Sequence, residues 1–252
     1  DEQLRIAVQS SQVLIRTANS EYTFYGLDSE SFPKLPKFSG GTTFTISASD
    51  LKTAIDRVRF CISPDEPRPH FRGSLFEIRD NTWIMVGTDT KRLSVVKRPL
   101  EGGTVAPVKC LLPYRLLTFL SGILTNGQVE ISIGKNQIFL KLDDGHLISQ
   151  LLDGSEHFPE YEKVVPDESR LKTVSLNTRA FEAVLKRVAL FTSERYHKVQ
   201  FTFTRGRLVL TVRSPEVGEA QERLSLPYEG EEQKIAFNPD FILDVLRRIE
   251  SE

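Results

Sequence analysis

The apolar pattern of this chain is written more than once. Shifted on itself by 125 residues, VLIRTANSEYTFYGLD at 13–28 lies over IFLKLDDGHLISQLLD at 138–153 without a gap. Both stretches lead into a Phe-Pro turn, FPKLPKF at 32–38 and FPEYEKV at 158–164. Upstream, EQLRIAVQSSQ lies over GQVEISIGKNQ at the same offset. DLKTAIDRVRF at 50–60 matches AFEAVLKRVAL at 180–190 with an offset of 130, and CLLPYRLLTFL at 110–120 matches AFNPDFILDVL at 236–246 with an offset of 126. Identities are few, but the apolar positions coincide, and that pattern is what specifies a fold. The chain therefore reads as copies of one unit: residues 43–169 form a complete copy, 1–42 match only its last third, and 170–252 match only its first two-thirds. The phase of the repeat predicts about 80 residues before Asp1 and about 40 after Glu252 in a protein of three full units.

Within the complete unit the period alternates between strand and helix. FTIS is a short strand, Ser47 with Asp50 forms a capping box, and Leu51, Ala54, Ile55 and Val58 give the stripe of an amphipathic helix. GSLFEIR, TWIMVGT and RLSVVKR follow as strands, separated by the turn residues DN and DTK. The scheme then restarts. VKCLL is a strand, Pro113 opens a helix carrying Leu116, Leu117, Leu120 and Ile123, and QVEISI, QIFLKL and HLISQLL alternate across GKN and DDG turns. The third unit repeats the first part of this order, with Asn177 capping one helix and Asn238-Pro239 opening the other. Two helices and about eight strands per unit must lay the helices on one face of antiparallel sheets, an α+β fold.

Composition and motifs narrow the function classes. Its 252 residues are 39% hydrophobic and 27% charged, enough for a real core and about two domains' worth of chain, and the net charge of −1 selects no strongly basic or acidic partner. Cys61 and Cys110 lack zinc-site spacing and read as two buried small hydrophobes, in keeping with a reducing cytosolic compartment. No apolar run reaches membrane-helix length, and DEQLRIAVQS has no signal-peptide character. Neither a phosphate-binding glycine loop nor a nucleophile elbow, H-E-x-x-H or zinc-deaminase pattern is present, so no catalytic residue, cofactor or metal is expected. Asp143-Asp144 belong to a DDG hairpin, where turn chemistry accounts for them, and His70, His146, His157 and His197 stand in unlike contexts.

Taken in order, FPKLPKF, FTISASDLKTAI, RGSLFEI, GTDTKRLSVV, FPEYEKVVP, SPEVGEA and FNPDFILDVL resemble the bacterial DNA polymerase III beta subunit, the sliding clamp. The resemblance covers essentially the whole chain, from the end of the family's first domain, through the second, into the third. It implies the DNA-clamp fold and a homodimeric ring around duplex DNA, read without regard to sequence. The implied role is that of a cytoplasmic processivity factor. Its partners would be the polymerase III alpha subunit, the clamp loader and other clamp-binding proteins, with no membrane and no catalysis. A scaffold that binds linear peptide motifs without encircling DNA is the alternative.

The resemblance also nominates residues. A partner-peptide pocket would be bordered by Arg68 and Phe71, by Thr88, Thr90, Lys91, Arg92 and Leu93 of GTDTKRL, and by Pro159, Lys163 and Val164 of the Phe-Pro-x-Tyr segment. An apolar floor with a few fixed polar groups suits Leu and Phe anchors. The family usually has Gly-His where Thr90-Lys91 stand, and the carboxyl-terminal segment that supplies one pocket wall has no counterpart before Glu252. DNA-facing positions would be Lys52, Arg57, Arg59, Arg115, Arg179, Lys186, Arg187, Arg247 and Arg248, set among Asp50, Asp56, Glu182, Asp240, Asp244 and Glu250. That is only a weak basic excess, a pattern that solvated helices also show. Subunit contact would fall on Tyr22 and Phe24 at one edge and on Leu190, Phe191 and Tyr196 at another.

Overall fold

The computed structural model describes residues 3–32, 40–143, 145–167, 169 and 171–249. Pro33–Phe38 of the first Phe-Pro phrase, Asp144 and Glu250 lie outside the described residues. The chain divides into two compact units, Asp1–Ser39 and Gly40–Glu252.

The first unit is an antiparallel meander of β1 (Arg5–Gln9), β2 (Gln12–Arg16) and β3 (Glu21–Tyr25), in the order β1-β2-β3. Ile15 and Leu14 of β2 are half-buried, whereas β3 is exposed along its length. Tyr22 and Phe24 stand on β3, an edge strand of this sheet, at 54% and 55% exposure.

The second unit opens with β4 (Thr42–Ser47), α1 (Ala48–Arg59), β5 (Gly73–Arg79), β6 (Thr82–Thr88) and β7 (Leu93–Pro99). The pattern then repeats as β8 (Val108–Pro113), α2 (Tyr114–Ile123), β9 (Gln128–Ile133), β10 (Gln137–Leu142) and β11 (Gly145–Gln150). A one-turn helix, α3 (Tyr161–Val164), leads to α4 (Thr178–Ala189), then β12 (Val199–Thr204), β13 (Arg207–Ser214), β14 (Gly218–Ser225), β15 (Gln233–Phe237) and α5 (Pro239–Leu246). Helices α1 and α4 stand 130 residues apart at both ends, the offset read from the apolar pattern.

Helix starts follow local chemistry. Asn177 Oδ1 accepts from Ala180 N–H at 2.8 Å, and Asn238 Oδ1 accepts from Asp240 N–H at 2.9 Å, with Pro239 in the first turn. Ser47 Oγ accepts from Asp50 N–H at 3.5 Å but also bonds Ser49 Oγ at 2.8 Å, so half of the expected capping box is present. Between β5 and β6, Asp80 and Asn81 take φ of 49° and 54°, the left-handed pair that a two-residue hairpin requires.

The sheets exchange their first strands. β4 pairs with β9 to give β11-β10-β9-β4, while β8 pairs with β5 to give β7-β6-β5-β8. Both are antiparallel, and α1 and α2 pack on one face of the pair over a core that includes Leu51, Ile55, Phe76, Met85, Leu117 and Leu140. The third repeat forms β14-β13-β12-β15 under α4 and α5, with Leu185, Phe201, Leu210 and Leu243 at its centre. One expectation is corrected here. Residues 171–177 ahead of α4 correspond to β4 but form no strand. β4 is held by β9, and no counterpart of β9 follows α5 among the described residues.

Candidate functional site

One sheet of the middle repeat is buried on both faces. In β5 and β6 nearly every residue is buried rather than every second one. The second face is covered by the segment after β11: Phe158 and Tyr161 sit at 4% and 5% exposure against Leu75, Ile84, Val86 and Leu111. The Tyr161 hydroxyl donates to Glu77 Oε2 at 3.2 Å and accepts from Arg79 Nη2 at 3.1 Å. Burial, then the neighbouring Glu77 charge, pushes the Tyr161 pKa up to about 12. Arg79 also pairs with Glu162, which fixes α3 to the sheet through a second side chain.

Between this cover and the β6–β7 hairpin lies a cleft of about 390 Å³. It is lined by Phe71, by Thr88, Thr90, Lys91, Arg92 and Leu93 of the hairpin, and by Pro159, Tyr161 and Val164. Of the residues nominated from the sequence, Arg68 and Lys163 stand outside the lining. Arg68 caps the short 3-10 helix Pro69–Phe71, lies 4.5 Å over the Phe71 ring and bonds Glu66 at 2.6 Å, lowering that carboxyl's pKa. Lys163 pairs with Glu160 on the exposed face of α3. Tyr161 was not nominated although it lies in the Phe-Pro-x-Tyr string. Its buried ring and hydroxyl network identify it as a wall.

The hairpin wall is tightly bonded. Thr88 Oγ1 donates to Arg92 O at 2.8 Å and accepts from Thr90 N–H at 3.1 Å. Asp89 Oδ1 accepts from the N–H groups of Lys91 and Arg92, both at 3.0 Å. Thr90 has φ of 73°, in the left-handed region where a β-branched residue is strained. This is the position where the resemblance leads one to expect Gly. At Gly87 the need is for space: a Cβ there would run into the Val58 carbonyl, so β6 closes on the end of α1 only with glycine.

The nominated DNA-facing cations differ in what already holds them. Lys52 donates to Ser121 O and lies 4.0 Å from Asp56, whose Oδ1 accepts from Ser121 Oγ at 2.6 Å, tying α1 to α2. Arg59 is 3.9 Å from Asp56, Lys186 pairs with Glu182 at 2.8 Å, and Arg247 lies 3.3 Å from Asp244. Arg187 forks onto Glu222 at 2.7 and 3.1 Å. Arg248 donates to Asp56 O at 3.0 Å and lies 4.3 Å over Phe60. The side chains of Arg57, Arg115 and Arg179 make no hydrogen bond or ion pair with any described residue, and Arg115 and Arg179 are exposed. At the other nominated surface Leu190 is 76% exposed and Tyr196 is exposed, whereas Phe191 packs against the core of the third repeat. No group of His, Cys, Asp and Glu able to hold a metal occurs among the described residues. No helix there is long and apolar enough to cross a membrane.

Comparison with known proteins gives a consistent result. The family model for the DNA polymerase III beta subunit, central domain, matches residues 45–160, and that for the C-terminal domain of the same subunit matches 162–252. The beta sliding clamp of Chlamydia pneumoniae is 32% identical over 244 residues, which is 94% of this chain and 64% of that protein. That of Chlamydia muridarum is 30% identical over 256 residues, 99% of this chain and 68% of its own length. The crystal structure of the DNA polymerase III subunit beta from Pseudomonas aeruginosa superposes with a TM-score of 0.90 at 28% identity, covering 99% of this chain and 69% of that one. The sliding clamp from Bacillus subtilis gives 0.88 at 28% identity, covering 98% and 66%. The chain thus spans about two thirds of the length of the proteins it matches.

Proposed function

The chain belongs to the bacterial DNA polymerase III beta subunit family, the non-catalytic sliding clamps, and from that premise we propose that it is a processivity factor working through the cleft beside α3. The cleft takes a short linear peptide from the polymerase III alpha subunit, the clamp loader or another clamp-binding protein. The observation that carries this is the pairing of an apolar floor, Phe71, Leu93, Tyr161 and Val164, with a hydrogen-bonded hairpin rim that offers Thr90 and Lys91. Apolar anchors would fill such a floor while the rim sets register.

In this reading the protein forms a cytoplasmic ring by head-to-tail pairing of two subunits, with domains at 1–42, 43–169 and 170–252. The ring encircles duplex DNA with its helices toward the phosphates. Exposed Arg115 and Arg179, with Arg57, supply mobile positive charge, whereas the paired arginines build the frame. Loose, sequence-independent attraction suits sliding. Exposed Tyr22 and Phe24 on edge strand β3, and exposed Leu190 and Tyr196 in the segment after α4, supply the subunit contact.

Two assays test this. A fluorescein-labelled peptide carrying Leu and Phe should bind with a saturable anisotropy change that Val164→Asp and Leu93→Asp abolish; wild-type-like binding by both variants would refute the cleft assignment. Loaded onto circular duplex, the protein should remain bound at high salt and escape when the circle is cut. Peptide binding without such retention would support a non-encircling scaffold instead.

A further inference from the structure

Arg92 faces two ways. It lines the cleft, and its side chain also reaches α5 in the third repeat. Nε donates to Asp89 Oδ2 at 3.0 Å within the hairpin, while Nη1 donates to Asp244 Oδ2 at 2.6 Å. The guanidinium lies 4.6 Å over the Phe241 ring of α5 and 5.4 Å from that of Phe60, which follows α1. All three charged side chains are mostly buried, at 21% exposure for Arg92, 15% for Asp89 and 26% for Asp244. A forked arginine shared by two carboxylates and two rings in such a setting has one favoured orientation.

The chain of bonds continues into the cleft wall. Asp89 spends its other oxygen on the N–H groups of Lys91 and Arg92, and those bonds shape the turn that holds Thr90 in its left-handed conformation. From the other side, the Asp244 carbonyl accepts from Arg248, whose Nε reaches the carbonyl of Asp56 on α1. The joint between the middle and third repeats and the rim of the cleft are therefore one hydrogen-bonded assembly.

We infer that Asp244 is a positioning residue for the peptide cleft: from α5 it fixes Arg92 and, through Asp89, the hairpin rim, so peptide occupancy and the docking of the third repeat are linked. This rests on the proposed reading of the cleft as a peptide site. Asp244 does not line the cleft. Its removal acts by loosening a preorganised wall, and the linkage is reciprocal.

The test uses the intact chain and the labelled Leu- and Phe-bearing peptide. Asp244→Asn should weaken binding by about fivefold or more, the lower end of typical coupling between linked sites. Asp244→Glu should recover part of the loss, and Asp240→Asn, on the same helix but bonded to His197, should leave affinity unchanged. In the wild type, saturating peptide should slow amide exchange in 239–246, and this protection should vanish in Asp244→Asn. Unchanged affinity in a folded Asp244→Asn variant would overturn the inference while leaving the cleft assignment standing. Should that variant fail to fold, peptide binding to the wild type without protection of α5 would overturn it equally. Failure of the wild type to bind would remove the cleft assignment and this inference with it.

Discussion

The two sheets of the middle repeat share one helix layer and one connectivity, yet they differ in what lies on their outer faces: on β7-β6-β5-β8 the segment around Phe158 and Tyr161 covers that face, and the cleft lined by Phe71, Leu93 and Tyr161 runs along its margin. Its partner β11-β10-β9-β4 has the alternation of a sheet with one covered face: in β10, Ile138 and Leu140 are buried while Gln137, Phe139 and Lys141 are not. In β5 and β6 that alternation disappears because Phe158 and Tyr161 fold back over the outer face. The difference lies in what covers each sheet. Where a few residues of connecting chain cover the outer face of a sheet, the margin of that cover becomes a cleft.

Phe158→Ala should break the contrast most. It removes a buried ring from the cluster on Leu75, Ile84 and Leu111, so urea unfolding should show a loss of about 3–5 kcal/mol. Phe139→Ala on the outer face of the partner sheet, where the half-buried ring has His146 at 5.3 Å among its neighbours, should cost less, about 1 kcal/mol in the same assay. Equal losses would mean that the two outer faces are not energetically distinct.

Gly87→Ala should come next. The added methyl meets the Val58 carbonyl, and forcing β6 from α1 should cost about 1–3 kcal/mol by the same measurement and displace the hairpin rim. Tyr161→Phe removes hydrogen bonds to Glu77 and Arg79 and should cost about 1 kcal/mol near neutral pH. The alkaline profile sharpens this test. The folded state keeps the Tyr161 proton up to about 12 against an ordinary value of 10.0, so its contribution is whole below pH 10 and is lost as pH rises toward 12. Cys61 and Cys110, both pushed up to about 12 by burial, add losses that begin near their ordinary 9.0. Tyr161→Phe should flatten the fall between pH 10 and 12 without abolishing it.

The smallest change should be favourable. Thr90→Gly relieves a left-handed β-branched residue, and after the entropy cost of glycine the hairpin should gain about 0.5–1 kcal/mol. A loss of stability would mean that the Thr90 side chain is held by contacts that outweigh the backbone strain.

Much of this architecture was legible because it rests on local rules. Asn177 and Asn238 announced helix starts, and the strands GSLFEIR, TWIMVGT, QVEISI and QIFLKL stand where their pattern placed them. Apolar spacing, however, reveals which face of a strand is buried and not which strand lies beside it, so the exchange of β4 and β8 was hidden. The double burial of β5 depends on a segment that follows some eighty residues later, as the Arg79 and Tyr161 bond shows. Arg92 is nominated from the sequence only as a border of the pocket, and nothing within reach of GTDTKRL points to Asp244, 152 positions away. Even the strand expected ahead of α4 failed for this reason: its local pattern was sound, but its neighbour is not among the described residues.

The exchanged strands also govern how the middle repeat can be made. A nascent chain that has released β4 through β7 holds two incomplete sheets, since β4 waits for β9 and β5 waits for β8. Only when residue 133 clears the ribosome can Thr42 meet Ile133, and the first half gains its partners together with the second. Closing so long a loop is slow, and the open edges of β4 and β5 remain exposed to other chains until it closes. Once joined, neither half can leave without stripping a strand from the other. The repeat therefore folds and unfolds as one body, its two halves sharing one fate.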